Sequence, residues 1–269
     1  NLPRPLRLGC SQPSGQDLGV FFDQWLTRGG APVVRIAEAG RARPDSAVSG
    51  PHRVTVTLEQ TEPAYRLRVP VAVLTTEGEE FRTLDFEKTR QVFTLDVGAR
   101  PLQVMLDPDL RLFRRLTPDE APPILRQVMV DRTAATVLLP ESGEAHSTAE
   151  TLAVKLQHRP PKLVSGTDVP PAVPVLVIGL EEQVDSWLAR HRLPARPDIV
   201  RGKGSAQAWT VRRSDGVTLA VISARDIASL AALTRPLPHY GRQSYVIFNN
   251  SKVIARGAWP TRAQTVKLD

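Results

Sequence analysis

HRVTVTLEQ, residues 52–60, alternates apolar and polar side chains, with Val54, Val56 and Leu58 on one side. YRLRVPVAVLTT, residues 65–76, repeats the alternation, and EGEE, residues 77–80, is typical of a turn. A repeat of two residues predicts a strand with one buried face. These two stretches therefore predict antiparallel pairing.

Short alternating segments continue toward the C-terminus. They are FRTLDFE (81–87), RQVFTLDV (90–97), LQVMLD (102–107) and LRLFRRL (110–116). About seven short strands without a long helix among them predict an antiparallel β-sandwich, which we assign to residues 32–130. Pro70 predicts an edge strand or a bulge, because proline cannot donate to a sheet. Thr117 and Pro118 predict a closing helix over residues 117–129.

The pattern changes near residue 131. TAATVLLP (133–140) and VPVLVIGL (173–180) are continuous apolar runs, typical of strands buried on both faces. Helices are predicted over 147–157, where Ser147 and Glu150 form a capping box, over 181–193 and over 225–234. Further strands are predicted over 206–213, 217–224, 243–250 and 252–259. Strands that alternate with helices predict an α/β layered domain with a partly parallel sheet over residues 131–269.

GQDLGVFFDQWLTRGGAP, residues 15–32, predicts one short and very apolar helix. Ser14 and Asp17 mark its start, and Gly29 and Gly30 mark its end. Its apolar face holds Leu18, Phe21, Phe22, Trp25 and Leu26. We expect residues 1–31 to be the last helix of an upstream domain, with Phe21, Phe22, Trp25 and Leu26 in contact between domains.

Composition restricts the classes of function. The 269 residues carry a formal charge of +7, divided as +1 over residues 1–130 and +6 over residues 131–269. The basic residues are scattered, without a run of five or interleaved aromatics, so we expect no nucleic-acid partner. No apolar run is long enough for a membrane span. Cys10 is the single cysteine, which excludes an internal disulfide and a cysteine-based metal cluster.

Motifs of catalysis are missing from the sequence. It contains no H-E-x-x-H, no G-x-S-x-G and no G-x-x-x-x-G-K-[ST], and no two of its five histidines lie within ten residues of each other. We therefore expect no catalytic residue, no metal site and no cofactor in this chain. Asp107 and Asp109 could imitate a calcium loop, but a β-turn fits them better because only two acids are present.

The segment RPLPHYGRQSY, residues 235–245, is the strongest candidate for a binding site. His239, Tyr240 and Arg242 lie together in it, directly before an apolar strand. Lys203, in the glycine-rich stretch 202–205, is added as a residue that could bind an anion. The alternative is a loop shaped by prolines whose aromatics pack locally, because no carboxylate completes a catalytic set.

SGQDLGVFFDQWLTRGGAP, residues 14–32, resembles the last catalytic-domain helix of bacterial zinc aminopeptidases of the membrane alanyl aminopeptidase type. In that family the helix leads into a β-sandwich, which the segments 54–80 and 91–116 also resemble. The resemblance covers about residues 10–128. The last 140 residues do not match the helical C-terminal domain of the best-known members.

The resemblance implies an accessory C-terminal region of a larger, bacterial protein. The zinc ligands and the catalytic glutamate of the family would lie upstream, so this chain alone is expected to be inactive as a peptidase. The expected partner is the upstream catalytic domain, or a second copy bound through the 15–26 helix. The location would be cytoplasmic, periplasmic or membrane-associated. The alternative function is a ligand-binding or partner-binding α/β module, with its site near the 235–245 loop or at the C-terminal ends of its strands.

Overall fold

The computed structural model describes residues 19–42, 52–167 and 169–269. These ranges do not include the predicted cap residues Ser14 and Asp17, the apolar residue Leu18 or the predicted loop 44–51. The chain is rich in β-structure and divides into two compact units, one of residues 1–121 and 262–269 and one of residues 122–261.

The strands are β1 Val34–Arg41, β2 His52–Gln60, β3 Leu67–Thr75, β4 Gly78–Phe86, β5 Arg90–Val97, β6 Pro101–Leu106, β7 Ala135–Leu138, β8 Lys162–Leu163, β9 Val175–Leu180, β10 Ala206–Arg212, β11 Thr218–Ala224, β12 Tyr245–Asn249, β13 Lys252–Gly257 and β14 Gln264–Lys267. The helices are α1 Gly19–Phe22, continued by a π-helical turn Asp23–Thr27, α2 Leu125–Val130, α3 Gly143–Gln157, α4 Glu181–Arg190 and α5 Ile227–Ala232, followed by a 3₁₀ turn Leu237–Tyr240.

Two antiparallel sheets build the first unit. Their strand orders are β1-β2-β5 and β14-β6-β3-β4. The alternation predicted for residues 52–60 is confirmed, since Val54, Val56 and Leu58 are fully buried. Val71 and Val104 of the other sheet enter the same core. Apolar side chains from both sheets thus share one interior, as in a β-sandwich.

The strand predicted over residues 110–116 is wrong. The buried carboxylate of Asp107 accepts hydrogen bonds from the backbone N–H groups of Arg111, at 2.8 Å, and Leu112, at 3.2 Å. Leu110 has a φ of +54°. This backbone turns instead of extending, and the β-turn predicted at Asp107 is the better description.

The seventh strand of the first unit comes from the other end of the chain. β14 pairs antiparallel with β6, with Val266 opposite Val104. The residues 262–269 that we assigned to the α/β domain therefore complete a sheet of the first unit. Leu268 is buried in its core, and the side chain of Gln264 bonds to the backbone of Ile36 in β1.

Pro70 does not lie on an edge strand, because β3 runs between β6 and β4. Its carbonyl accepts from the N–H of Asp107, at 2.8 Å, while the pairing of β3 with β6 begins at Val71. The N–H and C=O of a strand residue point to the same neighbouring strand, so the missing N–H of Pro70 would point toward β6. At this position Pro70 lies outside the paired residues of β3 and β6. An interior strand therefore tolerates the proline without losing a sheet hydrogen bond.

The helix predicted over residues 117–129 is shorter than expected. Residues 118–120 form a turn, in which Thr117 donates to the carboxylate of Glu120, and α2 begins only at Leu125. Pro122 and Pro123 separate the two parts, because a residue before proline disfavours the helical conformation.

The second unit contains a mixed sheet of seven strands, ordered β13-β12-β10-β11-β9-β7-β8. β11, β9, β7 and β8 are parallel, and the remaining pairs are antiparallel, which confirms the partly parallel sheet. Leu152 and Leu156 of α3 enter one core, whereas Trp187 and Leu188 of α4 enter another. The two helices thus cover opposite faces of the sheet.

The start of α3 differs from the predicted capping box. The helix begins at Gly143, after Ser142 in extended conformation, and Ser147 lies within its first turns. The hydroxyl of Ser147 donates to the helix carbonyls of Gly143 and Glu144 instead of capping the backbone. A hydroxyl bonded back along the helix in this way is common inside helices.

Candidate functional site

The short helix at residues 19–27 is held against the sheets of its own unit by one side. The amide of Gln24 donates to the carbonyl of Arg66 at 3.1 Å and accepts from the N–H of Arg66 at 2.6 Å. The ring of Trp25 lies 5.2 Å from that of Tyr65 and 5.4 Å from that of Phe113. The buried amide of Gln24 thus has both its NH2 group and its oxygen paired, which holds the helix in one position against the backbone of Arg66.

Its other side is uncovered within the described residues. Phe21 is 54% exposed and Leu26 is 47% exposed, while Phe22 is half-buried. The ring of Phe21 lies edge-on to that of Phe22, at a centroid distance of 5.7 Å. We call Phe21 and Leu26 the exposed helix face.

The 235–245 segment is fastened to α2. Asp226 accepts from the N–H of Ser229 to cap α5, and this bond holds the pKa of the aspartate below its ordinary value. Beyond α5, the carbonyl of Gly241 accepts from Arg126, at 2.7 Å, and that of Gln243 accepts from Leu125, at 3.0 Å. The loop therefore lies in one defined position on α2.

This attachment forms a cavity of about 450 Å³, which we call the basic pocket. His239, Tyr240 and Arg242 line it, so the structure brings together three of the four expected ligand residues. It adds three basic residues that the sequence analysis missed: Arg126 of α2, His158 at the end of α3, and Arg256 of β13. They come from distant parts of the chain, and only tertiary structure brings them to the loop.

Lys203 is not part of this pocket. The loop 203–205 lies beside Phe248, near the end of β12, because the N–H of Ser205 bonds to the carbonyl of Phe248. The lining of the basic pocket includes His239, Tyr240 and Arg242 but not Lys203.

The glycines around Lys203 have a structural reason. Gly204 has a φ of +70°, and a Cβ on it would lie 2.2 Å from the carbonyl oxygen of Phe248. The carbonyl of Lys203 itself accepts from the buried amide of Gln207, at 2.8 Å. Gly204 thus serves a close backbone approach.

A second cavity, of about 630 Å³, lies at the carboxyl ends of β7 and β8. β8 and β9 flank β7 on opposite sides, so the strand order reverses at this point, where α/β folds often bind ligands. Its lining combines acids such as Glu141 and Glu182 with Arg190 and His146. The Nδ1 of His146 bonds to the carbonyl of Pro140, at 2.7 Å. The mixture of signs favours no one class of charged ligand.

Two properties concern the described residues as a whole. Residues 19–42, 52–167 and 169–269 hold no group of three His, Cys, Asp or Glu side chains that could bind a metal ion. Among the helices of these same ranges, none combines the length and apolar character of a membrane span.

Comparison with known proteins assigns no function to the chain. No protein-family model matches the chain, and no curated protein matches its sequence.

Proposed function

We propose that the chain is a non-catalytic accessory region of a bacterial zinc aminopeptidase-like protein. In this proposal residues 1–31 end a thermolysin-like catalytic domain, and a β-sandwich and an α/β domain follow. The sandwich braces the catalytic domain, and the α/β domain shapes the access of peptide substrates. The sequence resemblance over residues 10–128 suggests the family.

One structural observation carries the proposal: the 19–27 helix packs against the sheets of its own unit on one side and is exposed on the other. Gln24 and Trp25 hold it to the sheets, while Phe21 and Leu26 remain exposed. Each large apolar side chain left in water forgoes about 1.5–3 kcal/mol of burial. A helix shared between two domains would present two apolar sides in this way, and the catalytic domain would cover the second.

Zinc, which the resemblance implies for the whole protein, does not fit the residues of this chain. Among the residues that the structure describes, no three potential ligand side chains converge. The five histidines also lack the H-E-x-x-H spacing that a zinc peptidase needs. No step of peptide hydrolysis is therefore assigned to this chain.

The test begins with the open reading frame that contains the chain. We expect an H-E-x-x-H motif upstream of Asn1, and zinc-dependent hydrolysis of alanine p-nitroanilide by the product of the whole frame. The 269-residue chain alone, with zinc added, should not hydrolyse it. A frame without the motif, or hydrolysis by the chain alone, would contradict the proposal.

A further inference from the structure

The basic pocket gathers positive charge from three separate elements. Arg126 lies on α2, Arg242 lies in the loop before β12, and Arg256 lies on β13. Among the described residues, none of these three guanidinium groups forms an ion pair with a carboxylate. The lining contains no aspartate or glutamate, and His158 and His239 add two imidazole rings.

Basic side chains gathered around one cavity produce a local positive potential that attracts anions. Elsewhere in the same unit, buried or half-buried arginines do have acidic partners: Arg196 contacts Asp185 at 3.0 Å, and Arg213 contacts Asp215 at 2.5 Å. The pocket arginines differ from these, since they are exposed and line a cavity whose lining contains no aspartate or glutamate. An anionic ligand would supply the missing charge.

The pocket is also shaped before any ligand binds. Gly241 approaches α2 so closely that a Cβ would lie 3.4 Å from the Cβ of Arg126 and from the Sδ of Met129. The ring of Tyr240 is set edge-on to Phe248 at 5.8 Å, and the guanidinium of Arg256 lies 5.6 Å from its centre. A cavity of about 450 Å³ has the size of pockets that take small ligands.

We propose that the basic pocket binds a phosphate-bearing small molecule. Guanidinium groups match phosphate oxygens in a bidentate fork, and three of them suit a group of more than one negative charge better than a single carboxylate. Arg126 and Arg242 bind the phosphate, and Arg256 remains stacked on Tyr240. The apolar side chains of Met129 and Leu156 face the organic part. The site lies wholly within residues 122–261 and needs no catalytic domain.

The test is calorimetric titration of the full chain with pyrophosphate at constant ionic strength. The pocket variant Arg126→Gln/Arg242→Gln is compared with the control variant Arg192→Gln/Arg235→Gln. The control removes the same two charges from exposed positions of the same unit, outside the pocket. Circular dichroism checks that both variants keep the fold.

We expect saturable binding of one pyrophosphate per chain. The pocket variant should weaken it by about tenfold or more, and the control by less than about twofold. Citrate, a carboxylate of similar charge, should bind more weakly than pyrophosphate. Absence of binding, equal losses in the two variants, or tighter binding of citrate would each overturn the proposal.

Discussion

Arg114 and Glu120 form a bidentate ion pair inside the first unit. Nη1 of the arginine lies 2.9 Å from Oε2 of the glutamate, and Nη2 lies 2.7 Å from Oε1. Nε of Arg114 also donates to Asp107 at 3.2 Å, and both side chains of the pair are almost fully buried. This pair stabilises the irregular segment of residues 110–116, for which the sequence pattern predicts a strand.

We predict that Glu120→Gln lowers the free energy of unfolding by about 3–5 kcal/mol, because it leaves the charge of Arg114 buried and partly unpaired. The control is Glu38→Gln, which removes an exposed partner of Arg90 and should cost less than about 1 kcal/mol. Urea denaturation measures both. Equal losses would show that the buried pair has no special role.

The same glutamate predicts a pH dependence. Burial opposes its ionisation, but hydrogen bonds from Arg114 and Thr117 outweigh burial and hold the pKa of Glu120 below its ordinary value of 4.5. A carboxyl with a lowered pKa in the folded state stabilises the fold above its unfolded pKa, and the contribution is lost as pH falls through the folded value. Wild type should therefore lose stability below pH 4.5 more steeply than Glu120→Gln. Parallel profiles would contradict this assignment.

The return of the C-terminus gives a third prediction. Leu268, which is 6% exposed, lies in the core of the first unit although 140 residues of the other unit precede residue 262. Leu268→Ala should lower the free energy of unfolding by about 2 kcal/mol or more. Leu110→Ala, at a position 37% exposed, should change it by less than about 0.5 kcal/mol. A neutral Leu268→Ala would mean that burial of this side chain contributes nothing to the stability of the unit.

The exposed helix face predicts self-association of the chain on its own. Without a catalytic domain, two copies should pair through Phe21 and Leu26, since exposed apolar patches are strong contact surfaces. Sedimentation should give a mass that rises with concentration from 29.6 kDa toward twice that value. Phe21→Ser/Leu26→Ser should remain monomeric, and a wild-type chain that stays monomeric would argue against pairing through this face.

Much of the fold follows from local pattern, and the exceptions have tertiary causes. Period-two alternation located β2 and β5, and continuous apolar runs located β7 and β9. Residues 110–116 alternate equally well, but the carboxylate of Asp107 accepts hydrogen bonds from the N–H groups of Arg111 and Leu112. β14 has only four residues, too few for a pattern to distinguish it from a loop.

The candidate site was predictable only where its residues are neighbours in sequence. His239, Tyr240 and Arg242 could be grouped because they lie within one loop. Arg126 reaches the pocket through the packing of α2, and Arg256 reaches it through the pairing of β13 with β12. No local sequence pattern predicts either of these contacts. Lys203 was added because a lysine in a glycine-rich stretch could bind an anion, and that signal carries no information on its distance from the loop.

In the proposed function, Phe21 and Leu26 contact a catalytic domain. The most direct test of this contact is the rate of alanine p-nitroanilide hydrolysis by the product of the whole reading frame carrying Phe21→Ser/Leu26→Ser. The control is Phe81→Ser on β4, where the phenylalanine is 56% exposed, close to the 54% of Phe21. We expect the variant Phe21→Ser/Leu26→Ser to lose about tenfold or more in kcat/KM or in half-life at elevated temperature, while the control keeps both. Equal behaviour of the two variants would contradict it.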